Sequence, residues 1–183
     1  PQSRADYAFF QHILKSMDNE TGRCAILFPH GVLFRNEESE MREKLIESDL
    51  VECVVGLGPN LFYNSPMEAC IVVCRTKKNP ERQSKVIFIN AVYEIASEHS
   101  ISFLEAKHQE RISKSYKAFN NIAGFCSIVS TEEIKAQNYS LSIPLYVKMN
   151  NNSEKGIVKN QSLKELWMEF TQDGKVFWQR MGE

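Results

Sequence analysis

Three short apolar runs, at 24–28 (CAILF), 51–55 (VECVV) and 69–74 (ACIVVC), stand out from the polar background of this chain. Each is too short for an ordinary helix, rich in Val, Ile, Cys and Phe, and bounded by turn residues. That pattern predicts strands buried on both faces. The charged stretch between the first two carries Met41, Leu45 and Ile46 at helical spacing. Glu37, Glu38 and Glu40 crowd its first turn, where the helix dipole favours negative charge, and Asn36 is the expected cap. Between the second and third runs lies a loop holding Pro59, Asn60, Phe62, Tyr63, Asn64 and Pro66. The order is strand, helix, strand, long loop, strand, which is an α/β arrangement.

The flanking segments read as cover for this unit. Ahead of it, Phe9, Phe10, Ile13, Leu14 and Met17 recur as one apolar helical face, with Ser3 as cap and Asp6 near the positive end of the dipole. After it, the polar stretch 76–84 predicts a turn, and KVIFINA at 85–91 predicts a fourth strand paired beside the third as a hairpin. A polar helix is expected at 103–119, with Leu104, His108, Ile112 and Tyr116 on one face. A short strand at 125–129, a short capped helix from Thr131 and an extended segment at 141–147 follow. MNNNSEKG at 149–156 has the composition of a linker. A last helix at 162–170 carries Leu163, Leu166, Trp167 and Phe170, and with Val176, Phe177 and Trp178 it is an apolar surface that must dock somewhere.

Composition narrows the class without naming a function. With 183 residues the chain is the length of about one domain, 43% of it hydrophobic and 25% charged. Its net charge of −1 provides no global field to attract nucleic acid. No apolar run approaches a membrane span, and the five cysteines, four of them in expected strands, read as reduced core thiols of a cytoplasmic protein. Cys70 and Cys74 lack zinc-ligand spacing and have no accompanying His pair, so no metal site is expected.

Few candidates for chemistry survive scrutiny. Gly56-Leu57-Gly58 follows a strand but lacks a third glycine and runs straight into Pro59, which weakens a phosphate- or cofactor-loop reading. His30 stands just past a strand end, where α/β proteins place ligand-binding groups. Positive charge clusters at Arg75, Lys77, Lys78, Arg82 and Lys85, where it could touch a DNA backbone, although a solvated hairpin turn is the default reading. Phe62-Tyr63, held in a proline-stiffened loop at a strand end, leaves two readings open. The pair offers a stacking surface for a flipped base, or Phe62 plugs the core beneath the loop.

Several stretches together carry a resemblance to a known family: Ala8-Phe9-Phe10, GRCAILFPHGVLFR at 22–35, MREKLI at 41–46, Val54-Val55-Gly56-Leu57 with Asn60-Leu61-Phe62-Tyr63, and VIFINA at 86–91. Asn138-Tyr139-Ser140-Leu141 and Tyr146-Val147 continue it. Over roughly residues 5–147 the chain resembles the modification subunit of type I restriction–modification systems, an N6-adenine DNA methyltransferase that uses S-adenosylmethionine. The resemblance implies the C-terminal half of a Rossmann-like methyltransferase sheet, with strands equivalent to the fifth, sixth and antiparallel seventh, plus a partly helical C-terminal extension. It divides the chain into the C-terminal half of the methyltransferase domain (1–92), an α/β extension closing it (93–147), and a linker with a helical segment (148–183).

The family's Gly-rich cofactor loop and its Asn-Pro-Pro-Phe catalytic tetrapeptide both belong upstream of these residues; Asn64-Ser65-Pro66-Met67 is similar to the tetrapeptide only superficially. The resemblance therefore implies a fragment with no catalytic residue of its own, inactive alone. It implies a role for Phe62 in stacking on the target base, for Pro29 and Tyr63 as pocket lining, and for Phe9 as a contact to the cofactor's adenine. The implied partners are DNA and the specificity and restriction subunits of the same system. The competing expectation is a stand-alone α/β protein-interaction module that docks through its C-terminal aromatic face.

Overall fold

The computed structural model describes residues 5–63, 65–98 and 101–148. The expected helix at 162–170, the aromatic surface after it and the capping role of Ser3 lie outside these residues. The described residues belong to a single unit that ends at Met149.

The core is a five-stranded sheet in the order β1 (Arg23–Pro29), β3 (Ala69–Arg75), β2 (Val51–Leu57), β4 (Lys85–Ala91), β7 (Cys126–Ser130). β2 is buried at all seven positions, as its unbroken apolar run predicts for a central strand. β3 pairs antiparallel with β1 and with β2, so β1, β2 and β4 all point the same way. β1 differs from expectation. It is an edge strand whose alternate residues reach solvent, Leu27 among them, because only one of its edges is paired among the described residues. Cys24 and Cys74 face each other across the β1/β3 pair, and a hydrogen bond from Cys74 draws the Cys24 thiol down to about 7.

Helices cover the sheet unequally. On one face α1 (Asp6–Lys15) and α2 (Ser39–Glu47) bury Tyr7, Phe10, Leu45 and Ile46 against Phe28, Val54, Val72 and Phe88. Phe10 stacks obliquely on Phe28 with ring centres 5.2 Å apart. On the other face α3 (Ala106–Ala118) sets Ile112 and Tyr116 on Cys53, Val55, Ile87 and Ile89. β7 leads into α4 (Thr131–Ala136) through a reciprocal cap between Ser130 and Glu133. A two-stranded hairpin, β5 (Ala96–Glu98) and β6 (Ile101–Phe103), was not anticipated; strands of three residues are too short to show periodicity.

Three expectations on pairing and local form fail for identifiable reasons. β4 does not form a hairpin with β3. It lies parallel to β2 on that strand's far side, so the 76–84 turn crosses the start of β2. Lys78 pins that crossing, donating from its buried ammonium to Asp49 (2.6 Å) and to the Lys85 carbonyl (2.9 Å). The segment at 141–147 is not extended: Ile143–Tyr146 forms the one-turn α5, with Pro144 in its first turn, where a missing N–H costs nothing. Its Ile143 is fully buried, and Tyr146 packs on Phe88 at 4.4 Å. Likewise Asn36 makes no side-chain cap: a 3-10 turn at Asn36–Glu38 intervenes before α2 begins.

A buried arginine closes the face that carries α1 and α2. Arg42, 2% exposed, donates to the carbonyls of Arg35 (2.8 Å), Tyr139 (3.1 Å) and Val32 (3.4 Å), and Tyr7 donates its hydroxyl to Val32 as well. It joins α2 to the turn after β1 and to a bend 97 residues away in sequence. Replacing it leaves buried backbone carbonyls without their charged donor. Arg42→Met is expected to lower unfolding free energy in urea by about 3 kcal/mol, and a loss below about 1 kcal/mol would show that the bonds are incidental.

Candidate functional site

Pro29, Leu57 and Ala91 close the three co-directional strands at one end of the sheet, the end at which α/β folds collect ligands. The loop from β2 to β3 starts there. Its two leading glycines are packed rather than open. A Cβ on Gly56 would stand 2.7 Å from Ile143 Cδ1, and one on Gly58 only 2.5 Å from the Val92 carbonyl oxygen. The volume a glycine loop would offer a phosphate or cofactor is filled by α5 and by the chain after β4. At these two glycines there is no room for a phosphate or a cofactor group.

Beyond the glycines, Asn60 takes the left-handed backbone (φ 58°) and turns the chain outward. Its carbonyl accepts from the Ser102 N–H at 3.0 Å, which ties the loop to β6. Ser65 N–H donates to the Phe62 carbonyl at 3.1 Å, and these two residues form an isolated β-bridge, so Tyr63 rides at the tip of a tight turn. An open cleft of about 580 Å³ lies over this turn, lined by residues 60–63, Ser65, Pro66 and Ile101.

Burial separates the neighbours. Leu61 packs against the β2–β4 side of the core, whereas Phe62 is 37% exposed, Tyr63 is 95% exposed, and neither joins the core. Leu61, which the sequence reading passed over, is the plug beneath the loop. The cleft thus presents two aromatic rings with the Asn60 amide and the Ser65 hydroxyl at its rim. Among the described residues, no carboxylate, imidazole, thiol or amine lines it. Such a lining can stack a flat group, and the Tyr63 phenol is the one titratable side chain in it among the described residues.

The other anticipated residues stand apart. Pro29 ends β1 opposite Ala69, at the same end of the sheet, and does not line the cleft. Phe9 is 65% exposed on the outer side of α1, leaving Tyr7 and Phe10 to take the buried side. The basic cluster is not a free patch. Arg75 and Arg82 both approach the buried Glu52 carboxylate (3.6 and 3.3 Å), which also accepts from Tyr116 at 2.5 Å. Lys77 pairs with Glu20 and Lys78 with Asp49. Arg82 further lies over the rings of Phe119 (4.6 Å) and Tyr116 (5.4 Å).

His30 opens the 3-10 turn after β1. Its Nδ1 sits 3.3 Å from a Glu68 carboxylate oxygen, and its Nε2 is buried beside Gly56 with no hydrogen-bond partner. Burial holds the imidazole below its ordinary pKa, with Glu68 pulling partly the other way. The unfolded chain therefore takes up the proton first as pH falls, and stability drops below the usual imidazole value of about 6.5. Above that pH both states are neutral and His30 has no effect. Denaturant titrations at pH 7.5 and 5.5 are expected to show a pH-dependent loss that shrinks in His30→Gln; an unchanged slope in that variant refutes the assignment.

Comparison with known proteins agrees with this geometry. Residues 1–155 match the family model described as N-6 DNA Methylase. Over 150 residues the chain is 35% identical to the type I restriction enzyme MjaVIII methylase subunit of Methanocaldococcus jannaschii, covering 80% of this chain and 25% of that protein. Among solved structures it resembles the type I restriction-modification methyltransferase subunit from Streptococcus thermophilus, with TM-score 0.75, 35% identity, and coverage of 80% of this chain and 31% of that one. The EcoKI M protein shares the fold at TM-score 0.64 and 16% identity, over 82% of this chain and 39% of its own. The chain spans about a quarter to a third of the length of the curated relatives it matches with at least 30% identity. The family match over residues 1–155 and the 35% identity over 80% of the chain settle its membership: the chain belongs to the N-6 DNA methylase family.

Proposed function

We propose that this chain is part of the methylase subunit of a type I restriction–modification system and that it supplies the surface on which the target adenine rests. The complete protein transfers a methyl group from S-adenosylmethionine to adenine N6 in DNA, in company with specificity and restriction subunits. The observation that carries this reading is the position of Phe62. It is an aromatic ring held out of the core, at the ligand end of the sheet, in a chain whose family methylates DNA bases. A base rotated out of a duplex needs an aromatic or apolar face to replace its lost stacking. Tyr63 acts as pocket wall, and Phe9 contacts the cofactor's adenine once the remainder of the domain is present. The cofactor supplies the electrophilic methyl group, and what these residues contribute is the orientation of its acceptor.

On this reading the chain is inactive alone, since Gly56 and Gly58 are filled in and no catalytic group lines the cleft among the described residues. The stand-alone interaction module has no such support: the family match takes in residues 1–155, most of the chain, whereas the aromatic face on which that reading rests lies after them. Incubating the chain with radiolabelled S-adenosylmethionine and DNA is expected to give no transfer; robust transfer would overturn this assignment. Phe62→Ala separates stacking from structure. In this chain it is expected to change stability by less than about 1 kcal/mol, against the 3–5 kcal/mol of a buried Phe→Ala. In the complete methylase it is expected to abolish most transfer.

A further inference from the structure

The cysteines of this chain do not share one environment. Cys53, Cys70 and Cys126 are buried, and burial lifts their thiols above the ordinary pKa. Cys24 alone is half-buried, on the edge strand β1, and it stands directly across from the buried Cys74 of β3. Residues opposite each other in an antiparallel pair project from the same face, and both of these pack with the α1/α2 side of the core. The ladder bonds fix their spacing. Thr76 N–H donates to the Gly22 carbonyl and His30 N–H to the Glu68 carbonyl, so every second pair between them, Cys24 with Cys74 included, is in hydrogen-bonded register. Such pairs hold their Cα atoms about 5.5 Å apart, inside the range that a disulfide spans. The remaining thiols are out of reach. Cys70 lies four residues along β3 from Cys74, about 13 Å away, and Cys53 and Cys126 belong to the opposite face.

We infer that Cys24 and Cys74 are a peroxide-reactive pair, in which Cys24 is the attacking thiol and Cys74 resolves it into a cross-strand disulfide. A thiolate at Cys24 accepts hydrogen bonds from the Cys74 side chain and backbone N–H, which draw its pKa down to about 7 and leave much of it charged at neutral pH. The same contact, with burial, keeps the Cys74 proton in place. In the first step the Cys24 thiolate attacks one oxygen of hydrogen peroxide. The O–O bond breaks, the leaving oxygen takes up a proton and departs as water, and the sulfur becomes a sulfenic acid. The Cys74 sulfur then attacks the Cys24 sulfur, the S–O bond breaks, and hydroxide leaves with the Cys74 proton as a second water. Two thiols are oxidised and one peroxide is reduced. Side chains in a bonded pair hold their Cβ atoms about 5.5 Å apart, whereas a disulfide needs about 3.5–4.5 Å, so the strands must close by about 1 Å. β1 can yield because only one of its edges is paired among the described residues. The bridge is therefore strained, and a strained disulfide is readily reduced again by thiols. It is a reversible covalent link between the edge strand and the sheet, at the end of β1 away from Pro29.

The test treats the full chain with stoichiometric hydrogen peroxide at neutral pH and counts free thiols. They are expected to fall from five to three, two being consumed in the bridge, and to return to five with dithiothreitol. Non-reducing tryptic digestion is expected to join peptide 24–35 to peptide 45–75 of the same chain. Peptide 45–75 also holds Cys53 and Cys70, so the link must vanish in Cys74→Ala, where the Cys24 sulfenic acid persists and is captured by dimedone. Cys24→Ser, at a half-buried position, is expected to keep its four remaining thiols at the same dose, and it decides the matter by itself if Cys74→Ala does not fold. Thiol loss from Cys24→Ser at the parent's rate, or a parent that gives no such link or links two chains instead, overturns the pair. A link that survives in Cys74→Ala overturns the part given to Cys74.

Discussion

The burial of β2 is the constraint to which the rest of the molecule answers. Seven consecutive side chains without solvent access oblige both faces to be covered and both edges to be paired. β3 takes one edge and β4 the other, and α2 and α3 lie on opposite faces. Because β3 must run antiparallel to reach the first edge, the connection to it leaves from the ligand end and comes back to the same end. The loop at 58–68 is therefore held at that end at both of its roots. Its short inner part is filled by Leu61, so its longer outer part has nowhere to go except into solvent, and it takes Phe62 and Tyr63 with it.

Two buried charged groups fasten the opposite ends of this sheet, and both act through many partners. Arg42 spreads its guanidinium over three backbone carbonyls beside the ligand end, with Glu38 and Arg35 nearby. Glu52, at the start of β2, is held by Tyr116 and two arginines at the far end. A buried charge is tolerable only when its hydrogen-bonding capacity is taken up, and the multiplicity at each site meets that need. The consequence for function is geometrical. Four of the five cations that a surface reading would offer to DNA, Arg75, Lys77, Lys78 and Arg82, are paired with carboxylates, so what the cleft exposes is aromatic surface rather than charge.

The elements that were legible in the sequence are those whose burial repeats. The runs at 51–55 and 69–74 announced β2 and β3 because a well-covered strand has little room for polar residues, and Glu52 is tolerated only through its ion cluster, whereas the run at 24–28 announced β1 although its alternate residues reach solvent. Pairing was less legible than existence. KVIFINA is equally apolar whether it lies beside β3 or beyond β2, and the choice is made by Lys78 reaching Asp49 across the crossing turn, a contact between residues 29 apart. The one-turn α5 was hidden for a related reason: its form follows from Ile143 filling the gap above Gly56, which no local pattern encodes.

The candidate site divides along the same line. Phe62 and Tyr63 could be singled out because aromatics in a proline-bounded polar loop are conspicuous, yet whether Phe62 plugs or protrudes depends on Leu61, a neighbour that periodicity ignores. Ile101 had no signal at all. It sits in a three-residue strand, and its relation to the loop exists only through the Ser102-to-Asn60 backbone bond. A cleft assembled from exposed residues of two separate turns has no hydrophobic period to betray it. What makes it readable in the fold is the opposite of burial: apolar side chains kept in water, on backbone that hydrogen bonds hold in place, where packing alone would have drawn them in.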